Sequence, residues 1–254
     1  MPTNPQTPKV NEPAKRRRIL LKLSGEALLG SSPSSIDPQT VARICADVKS
    51  VYDQGIEICI VVGGGNIFRG IKGTERGIDR VTADHMGMLA TVINALALQS
   101  ALEMIGLAVR VMSAIPMETI CEPYVRRHAL GHIEQGRIII FAAGTGNPYF
   151  TTDSAAVLRA SEMTCDILLK GTKVDGIYSA DPYKNPDAVR YTKLSYEQIL
   201  REKLAVMDMS AIALARDNQL PVAVFSINEP GNLLRVVQGE GRFTLVVDEQ
   251  EETA

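Results

Sequence analysis

Arg18 to Leu23 (RILLKL) is a short apolar run that stops at Ser24-Gly25, and Ile56 to Val62 (IEICIVV) is another that stops at Gly63-Gly64-Gly65. Runs of this length, apolar throughout and closed by glycine, have the pattern of buried strands. Between them Asp37-Pro38 precedes Val41, Ile44, Cys45, Val48 and Val51, a helical stripe with proline in its first turn. Strand, helix and strand in that order call for a parallel pair joined by a helical crossover. The alternation continues. Helical segments are expected over His85 to Ile105, Tyr124 to Gln135 and Asp153 to Glu162, and strands over Ala108 to Met112, Arg137 to Ala142 and Asp166 to Lys170. The fold class is therefore α/β, a three-layer α/β/α sandwich around a mostly parallel central sheet.

After Lys170 the pattern changes. Thr172 to Tyr178 (TKVDGIY) has the character of a hairpin or loop. Helices are expected over Ser195 to Lys203 and Met209 to Asn218, and strands over Pro221 to Phe225 and Phe243 to Val247. No internal repeat or linker interrupts residues 16–254, which are expected to form one domain with two functional lobes meeting near residue 165. Residues 1–15 carry Pro2, Pro5, Pro8 and Pro13 among polar residues and are expected to be a disordered tail. That stretch lacks the apolar centre of a secretory signal, and no apolar run approaches the roughly 20 residues of a membrane span. A cytoplasmic protein is the expectation.

With 45% hydrophobic residues in 254 the chain can bury a substantial core, and its formal net charge of -2 supplies no bulk field to hold a polyanion. The one basic run, Lys15 to Arg18, reads as a solvated edge, so nucleic acid is an unlikely partner. Cys45, Cys59, Cys121 and Cys165 are widely spaced and suggest neither a zinc cage nor a disulfide framework. His128 and His132 stand four apart without a third ligand, so they read as a solvated helix face and no protein-held metal is expected.

Open parallel sheets bind ligands beyond the carboxyl ends of their strands. Four glycine loops fall there: Lys22-Leu23-Ser24-Gly25, Gly63-Gly64-Gly65-Asn66, Gly144-Thr145-Gly146-Asn147 and Lys170-Gly171-Thr172-Lys173. Each alone could be a tight turn. Together they offer backbone N–H groups to phosphate oxygens, with Lys22, Arg69 and either Lys170 or Lys173 as cations. No third glycine follows Gly63-Gly64-Gly65 at the dinucleotide-binding spacing, and no G-x-x-x-x-G-K-[ST] occurs, which weakens dehydrogenase and P-loop readings. Phosphoryl transfer asks a protein mainly for positioning and positive charge, which this set provides.

The runs Lys22-Leu23-Ser24-Gly25-Glu26, Gly63 to Gly70 (GGGNIFRG), Asp84 to Thr91 (DHMGMLAT), Gly144 to Asp153 (GTGNPYFTTD) and Thr172 to Gly176 (TKVDG) resemble, in order, the motifs of the bacterial UMP kinases, a branch of the amino-acid-kinase family. The resemblance implies transfer of the γ-phosphoryl group of ATP, carried with Mg²⁺, to UMP. It implies that Lys22, Leu23, Ser24, Gly25, Gly65 and Arg69 surround the ATP phosphates, and that Thr172, Tyr178 and Asp181 hold the nucleoside end. For UMP it implies Gly64 at the phosphate, Asp84 at the ribose, and Thr145, Gly146, Asn147, Pro148, Tyr149, Phe150, Thr151 and Thr152 around base and phosphate. Lys22, Arg69 and Asp208 are the implied catalytic residues, Asp208 orienting Lys22 and the magnesium hydration shell. Asp84 and Asp208 could otherwise be helix N-caps. Further implications are a homohexamer, activation by GTP and inhibition by UTP. The long apolar stretch Met86 to Ala101 agrees with an oligomer, although Met86, Met88 and Leu89 read first as helix packing. Kinases that make acyl phosphates on the same fold, and a nucleotide-sensing DNA-binding regulator, are the competing classes.

Overall fold

The structure is a computed structural model and describes residues 17–30, 35–69, 77–204 and 206–248. The expected tail, Lys15 and Arg16 lie outside these residues. The rest of the basic run is structural: Arg17 donates to the Val237 carbonyl (2.6 Å), and Arg18 pairs with Glu57 (2.8 Å).

The elements are β1 (Arg18–Leu23), a 3₁₀ turn (Gly25–Leu28), α1 (Pro38–Tyr52), β2 (Glu57–Val62), α2 (Arg80–Met104), β3 (Val109–Ser113), β4 (Glu122–Pro123), α3 (Arg126–Glu134), β5 (Ile138–Ala142), α4 (Thr152–Glu162) and β6 (Ile167–Thr172). They continue with β7 (Ile177–Tyr178), β8 (Arg190–Tyr191), β9 (Lys193–Ser195), α5 (Tyr196–Glu202), α6 (Met209–Asp217), β10 (Val222–Ser226), α7 (Asn232–Val237) and β11 (Phe243–Val247). A nine-stranded sheet runs β4-β3-β5-β2-β1-β6-β10-β11-β9, with β7 and β8 forming a separate antiparallel pair. Every neighbouring pair in the large sheet is parallel except β10 and β11. The two edge strands, β4 and β9, are very short, which limits edge-to-edge pairing.

Two buried clusters make this a three-layer sandwich. Ile19, Leu21 and Leu23 of β1 pack toward α1, α2 and α7, whereas Leu20 points to the face covered by α3, α4, α5 and α6. Burial on both faces explains why the central strands are apolar throughout. Each such side chain contributes about 1.5–3 kcal/mol. Pro38 starts α1, and the Asp37 carboxylate accepts from Thr40 N (2.9 Å), as the sequence pattern anticipates.

Three features depart from the sequence reading. The long helix begins at Arg80 rather than His85, capped by Asp79, whose carboxylate accepts from Val81 N (3.0 Å) and Thr82 N (3.1 Å). Asp84 is therefore one turn inside α2 and not its N-cap. The same helix is long and apolar enough to cross a membrane by length and composition. Ala83, Met88, Ala90, Val92, Ala95, Leu98 and Leu102 instead bury its inner side in the protein core. Finally, Met88 is buried while Met86 (37%), Leu89 (51%) and Ile93 (50%) are exposed, so only part of the expected packing is internal.

Candidate functional site

β5, β2, β1 and β6 are consecutive in the sheet, so the glycine loops after β5, β2 and β1 emerge side by side at its carboxyl edge. Lys170, Gly171 and Thr172, by contrast, form no loop but the last three residues of β6, with Gly171 in register with Leu23 and Phe225. Lys22 and Lys170 are register partners on β1 and β6. They flank the Asp153 carboxylate in the first turn of α4: Lys22 Nζ is 2.7 Å from Oδ1 and Lys170 Nζ is 2.7 Å from Oδ2. Lys170 also donates to the Val206 carbonyl. All three side chains are largely buried, at 9%, 12% and 14% exposure. Burial alone raises the pKa of Asp153, but the two ammonium groups outweigh it and the net shift is downward. For Lys170 burial dominates and lowers the pKa, with Lys22 adding to the fall and Asp153 opposing it. Asp208 also acts on Lys170 and opposes that fall, so the two lysines stand with two carboxylates around them.

Asp208 has a different setting from the one expected. It caps α6, accepting from Ala211 N (2.8 Å), and takes hydroxyl donors from Thr151, Ser154 and Ser210. Burial raises its pKa, but these donors, Ser210 first, bring it below the ordinary carboxylate value. The carboxylate that touches Lys22 is Asp153, which sequence reasoning passed over as the last letter of a motif. Its signal was its place at a helix N-terminus directly after a glycine loop, where an anion is stabilised. Asp208 remains nearby, through Thr151 of the turn that leads into α4.

None of Lys22, Asp153 and Lys170 lines a cavity of about 210 Å³ formed by Gly64, Asp84, Thr145, Asn147, Phe150, Thr151 and Thr152, the last of which precedes Asp153 in the chain. Gly146, Pro148 and Tyr149 do not line it, whereas Arg80, outside every quoted motif, and Phe68, Gly87 and Thr91, motif residues with no implied role, do. The loop between β5 and α4 carries two non-glycine residues in the left-handed region, Ala143 (φ 61°) and Tyr149 (φ 73°). Such residues cost on the order of 1 kcal/mol or more and need fixed neighbours. α2 supplies them: Ala143 N donates to Thr91 Oγ1 (2.8 Å), and Tyr149 N donates to Asp84 Oδ2 (2.8 Å). The same oxygen pairs with Arg80 (2.8 Å), and no bond to Asp84 Oδ1 is formed among the described residues. Asp84→Asn keeps an acceptor for Tyr149. It is expected to raise KM for the ligand of this cavity roughly tenfold or more, through the lost charged hydrogen bond, and to leave KM for the co-substrate unchanged. Steady-state kinetics with each ligand varied in turn checks this, and an unaltered pair of KM values returns Asp84 to a purely structural role.

A second cavity, of about 540 Å³, is lined by Lys170, Thr172, Tyr178 and Asp181 among others. The Tyr178 hydroxyl donates to Asp175 (2.5 Å), a bond that, ahead of burial, raises its pKa. Asp181 caps the turn that follows by accepting from Tyr183 N (3.0 Å). Glu26, in the 3₁₀ turn after Gly25, pairs with Arg69 and with Lys173 (3.0 Å). It thus gathers cations from the loops after β2 and β6 beside the first glycine loop. Leu23 is part of the core, and Ser24 caps the 3₁₀ turn, its Oγ accepting from Glu26 N (3.3 Å). Away from these cavities, His132 bonds Glu122 (2.8 Å) and Arg137 (2.7 Å) instead of facing solvent, and His128 is exposed. Among the described residues no cluster of three His, Cys, Asp or Glu is placed to hold a metal ion.

Comparison with known proteins gives a consistent picture. The model of the amino acid kinase family matches residues 17–226. A uridylate kinase from Paramagnetospirillum magneticum is 58% identical over 236 residues, 93% of this chain and 98% of the relative. Among solved structures, the UMP kinase from Bacillus anthracis superposes with a TM-score of 0.89 at 44% identity, covering 92% of this chain and 96% of that one. The UMP kinase from Ureaplasma parvum gives 0.88 at 37% identity, covering 92% and 100%.

Proposed function

The chain belongs to the amino acid kinase family, and on that premise we propose that it transfers the γ-phosphoryl group of ATP to UMP, yielding ADP and UDP in pyrimidine nucleotide synthesis. One observation carries the reading. The Lys22–Asp153–Lys170 cluster has Lys170 in the wall of the larger cavity and Asp153 next in the chain to Thr152 of the smaller one, in a chain 58% identical to a uridylate kinase. The larger cavity, in the half of the chain after residue 165, takes ATP, and the smaller, in the first half, takes UMP.

The acceptor is itself a phosphate oxygen, largely ionised at neutral pH, so no general base is needed. What the protein must supply is alignment of two phosphates and compensation of the charge that spreads over the moving group. Lys22 and Lys170 are paired with Asp153 at the ends of β1 and β6, and the backbone donors of the loops at Gly25, Gly64 and Gly65 follow β1 and β2 beside them. Arg69 and Lys173 exchange Glu26 for phosphate oxygens when nucleotide enters. Mg²⁺ arrives with ATP. Asp208 already accepts from hydroxyl and amide donors and Asp153 Oδ2 accepts from Lys170, while buried Asp153 Oδ1, 2.7 Å from the Lys22 ammonium, accepts no hydrogen bond among the described residues. The site suits an ion bound mainly to phosphates and water, with Asp208 and Asp153 Oδ1 receiving water hydrogens. Bound there, the ion would neutralise phosphate charge.

The same reading makes the chain a soluble cytoplasmic homo-oligomer, a hexamer activated by GTP and inhibited by UTP. Support for the oligomer comes from α2: Met86, Leu89 and Ile93 stand exposed on the outer side of a helix whose inner side is buried in the core. Sedimentation at micromolar concentration is expected to give a species several times 27.6 kDa, and a monomer would refute the assembly. Product analysis with MgATP and a panel of UMP, CMP and AMP tests the activity itself, UDP formation being the expected result.

A further inference from the structure

Asn94 is a buried amide, 0% exposed, on the inner side of α2. Its Nδ2 donates to the Gly63 carbonyl (2.7 Å) and to Asn66 Oδ1 (2.7 Å), and its Oδ1 accepts from Asn66 Nδ2 (3.0 Å). Both hydrogens and the oxygen are used, and a carbonyl accepts only from the NH₂ end, so the orientation of the amide is fixed. Asn66 also donates to the Ser35 carbonyl (2.7 Å). Its Oδ1 lies so close to the first glycine loop that a Cβ on Gly25 would come within 2.5 Å of it. Gly64 is pressed onto the same helix, where a Cβ would come within 2.8 Å of Ala90 Cβ and of the Gly87 carbonyl.

We propose that the Asn94–Asn66 amide pair is a positioning device for the acceptor phosphate, a role that rests on the reading of the smaller cavity as the UMP site. A trans peptide holds its C=O and N–H on opposite sides. With the Gly63 carbonyl drawn onto Asn94, the N–H of Gly64 in the same peptide is turned away from the helix and left as a donor for a phosphate. Glycine on both sides gives that peptide no side chain to hold it. Released from Asn94 it can rotate, and its carbonyl then opposes the phosphate it should bind. Contact of Asn66 with Gly25 extends the effect to the donor side, since a slip of the pair changes the spacing between the two phosphate loops. Displacements of about 1 Å are enough to cost about 10²-fold in such transfers.

Asn94→Leu keeps most of the volume and removes the bonds, and Asn66→Ala, at a partly exposed position, provides a second variant if the first does not fold. Each is made in the full chain and assayed with UMP and MgATP at a temperature where circular dichroism is native. The expected result is a loss of about 10²-fold in kcat/KM for UMP with little change in KM for ATP. The double variant is expected to lose no more than the worse single one, because the two residues act as one unit. A lowered melting temperature with unaltered kinetics of the folded variants overturns the proposal, as do losses that simply add. A wild-type chain that fails to phosphorylate UMP overturns the cavity reading and the proposal together, whereas an active wild type with kinetically unchanged variants overturns the proposal alone.

Discussion

Lys22→Ala is expected to lose about 10²–10³ in kcat, roughly 3–4 kcal/mol of transition-state stabilisation, while remaining folded and binding UMP. Lys22 is held 2.7 Å from Asp153 at the end of the central strand, so its ammonium is fixed before substrate arrives. During transfer, charge builds on the equatorial and bridging oxygens, and a cation already in place gains more in the transition state than in the ground state. The loss therefore belongs in kcat. The fold survives because Asp153 keeps its second partner, Lys170, at 2.7 Å, and is not left as an unpaired buried charge. Lys22→Ala and Asp208→Asn together are expected to lose less than the sum of the two, since Thr151 and the first turn of α4 tie Asp208 to the same cluster. Kinetics on the folded variant, with UMP affinity measured separately by calorimetry, decide the point; near wild-type kcat removes Lys22 from the catalytic set.

Discrimination between UMP and AMP is expected to be larger still, on the order of 10⁴ in kcat/KM. On the assignment proposed above, UMP takes the smaller of the two cavities, about 210 Å³ against about 540 Å³, where a purine presents a larger ring with a different polar edge. Polar groups sharpen the choice. Thr145 and Asn147 bond one another through contacts of 3.2 Å and 3.4 Å, at or beyond the long end of the range, and both line the cavity. Such groups can exchange these weak bonds for the edge of a uracil ring, and a base with the wrong donor pattern leaves them desolvated and unpaired. Comparable kcat/KM for UMP and AMP would exclude this account of the loop.

The strands and most helices were legible in the chain because they follow from period and punctuation. β1 and β2 are apolar runs that glycine ends, and α1 has its aspartate cap, its proline and its stripe, so local chemistry and tertiary placement agree. The start of α2 was misread because Asp79 and Asp84 are equally good caps on paper. Only the backbone shows that the first is used and that the second accepts from Tyr149 N of the loop between β5 and α4. β4, β7, β8, β9 and α7 are two to six residues long, too short to express a period.

Sequence by itself determined the class of fold, the family and half of the residues lining the smaller cavity, because these are carried by contiguous motifs at strand ends, but few of those lining the larger one. Tertiary structure decided which charges meet. Lys22, Asp153 and Lys170 are far apart in the chain and come together because β1 and β6 are register neighbours beneath the first turn of α4. Asn94 looks like any polar residue in a helical stretch until β2 places the Gly63 carbonyl against it. Ion pairs and buried amides are long-range contacts whose partners no spacing encodes, and their energy arises only when folding has removed water from between them.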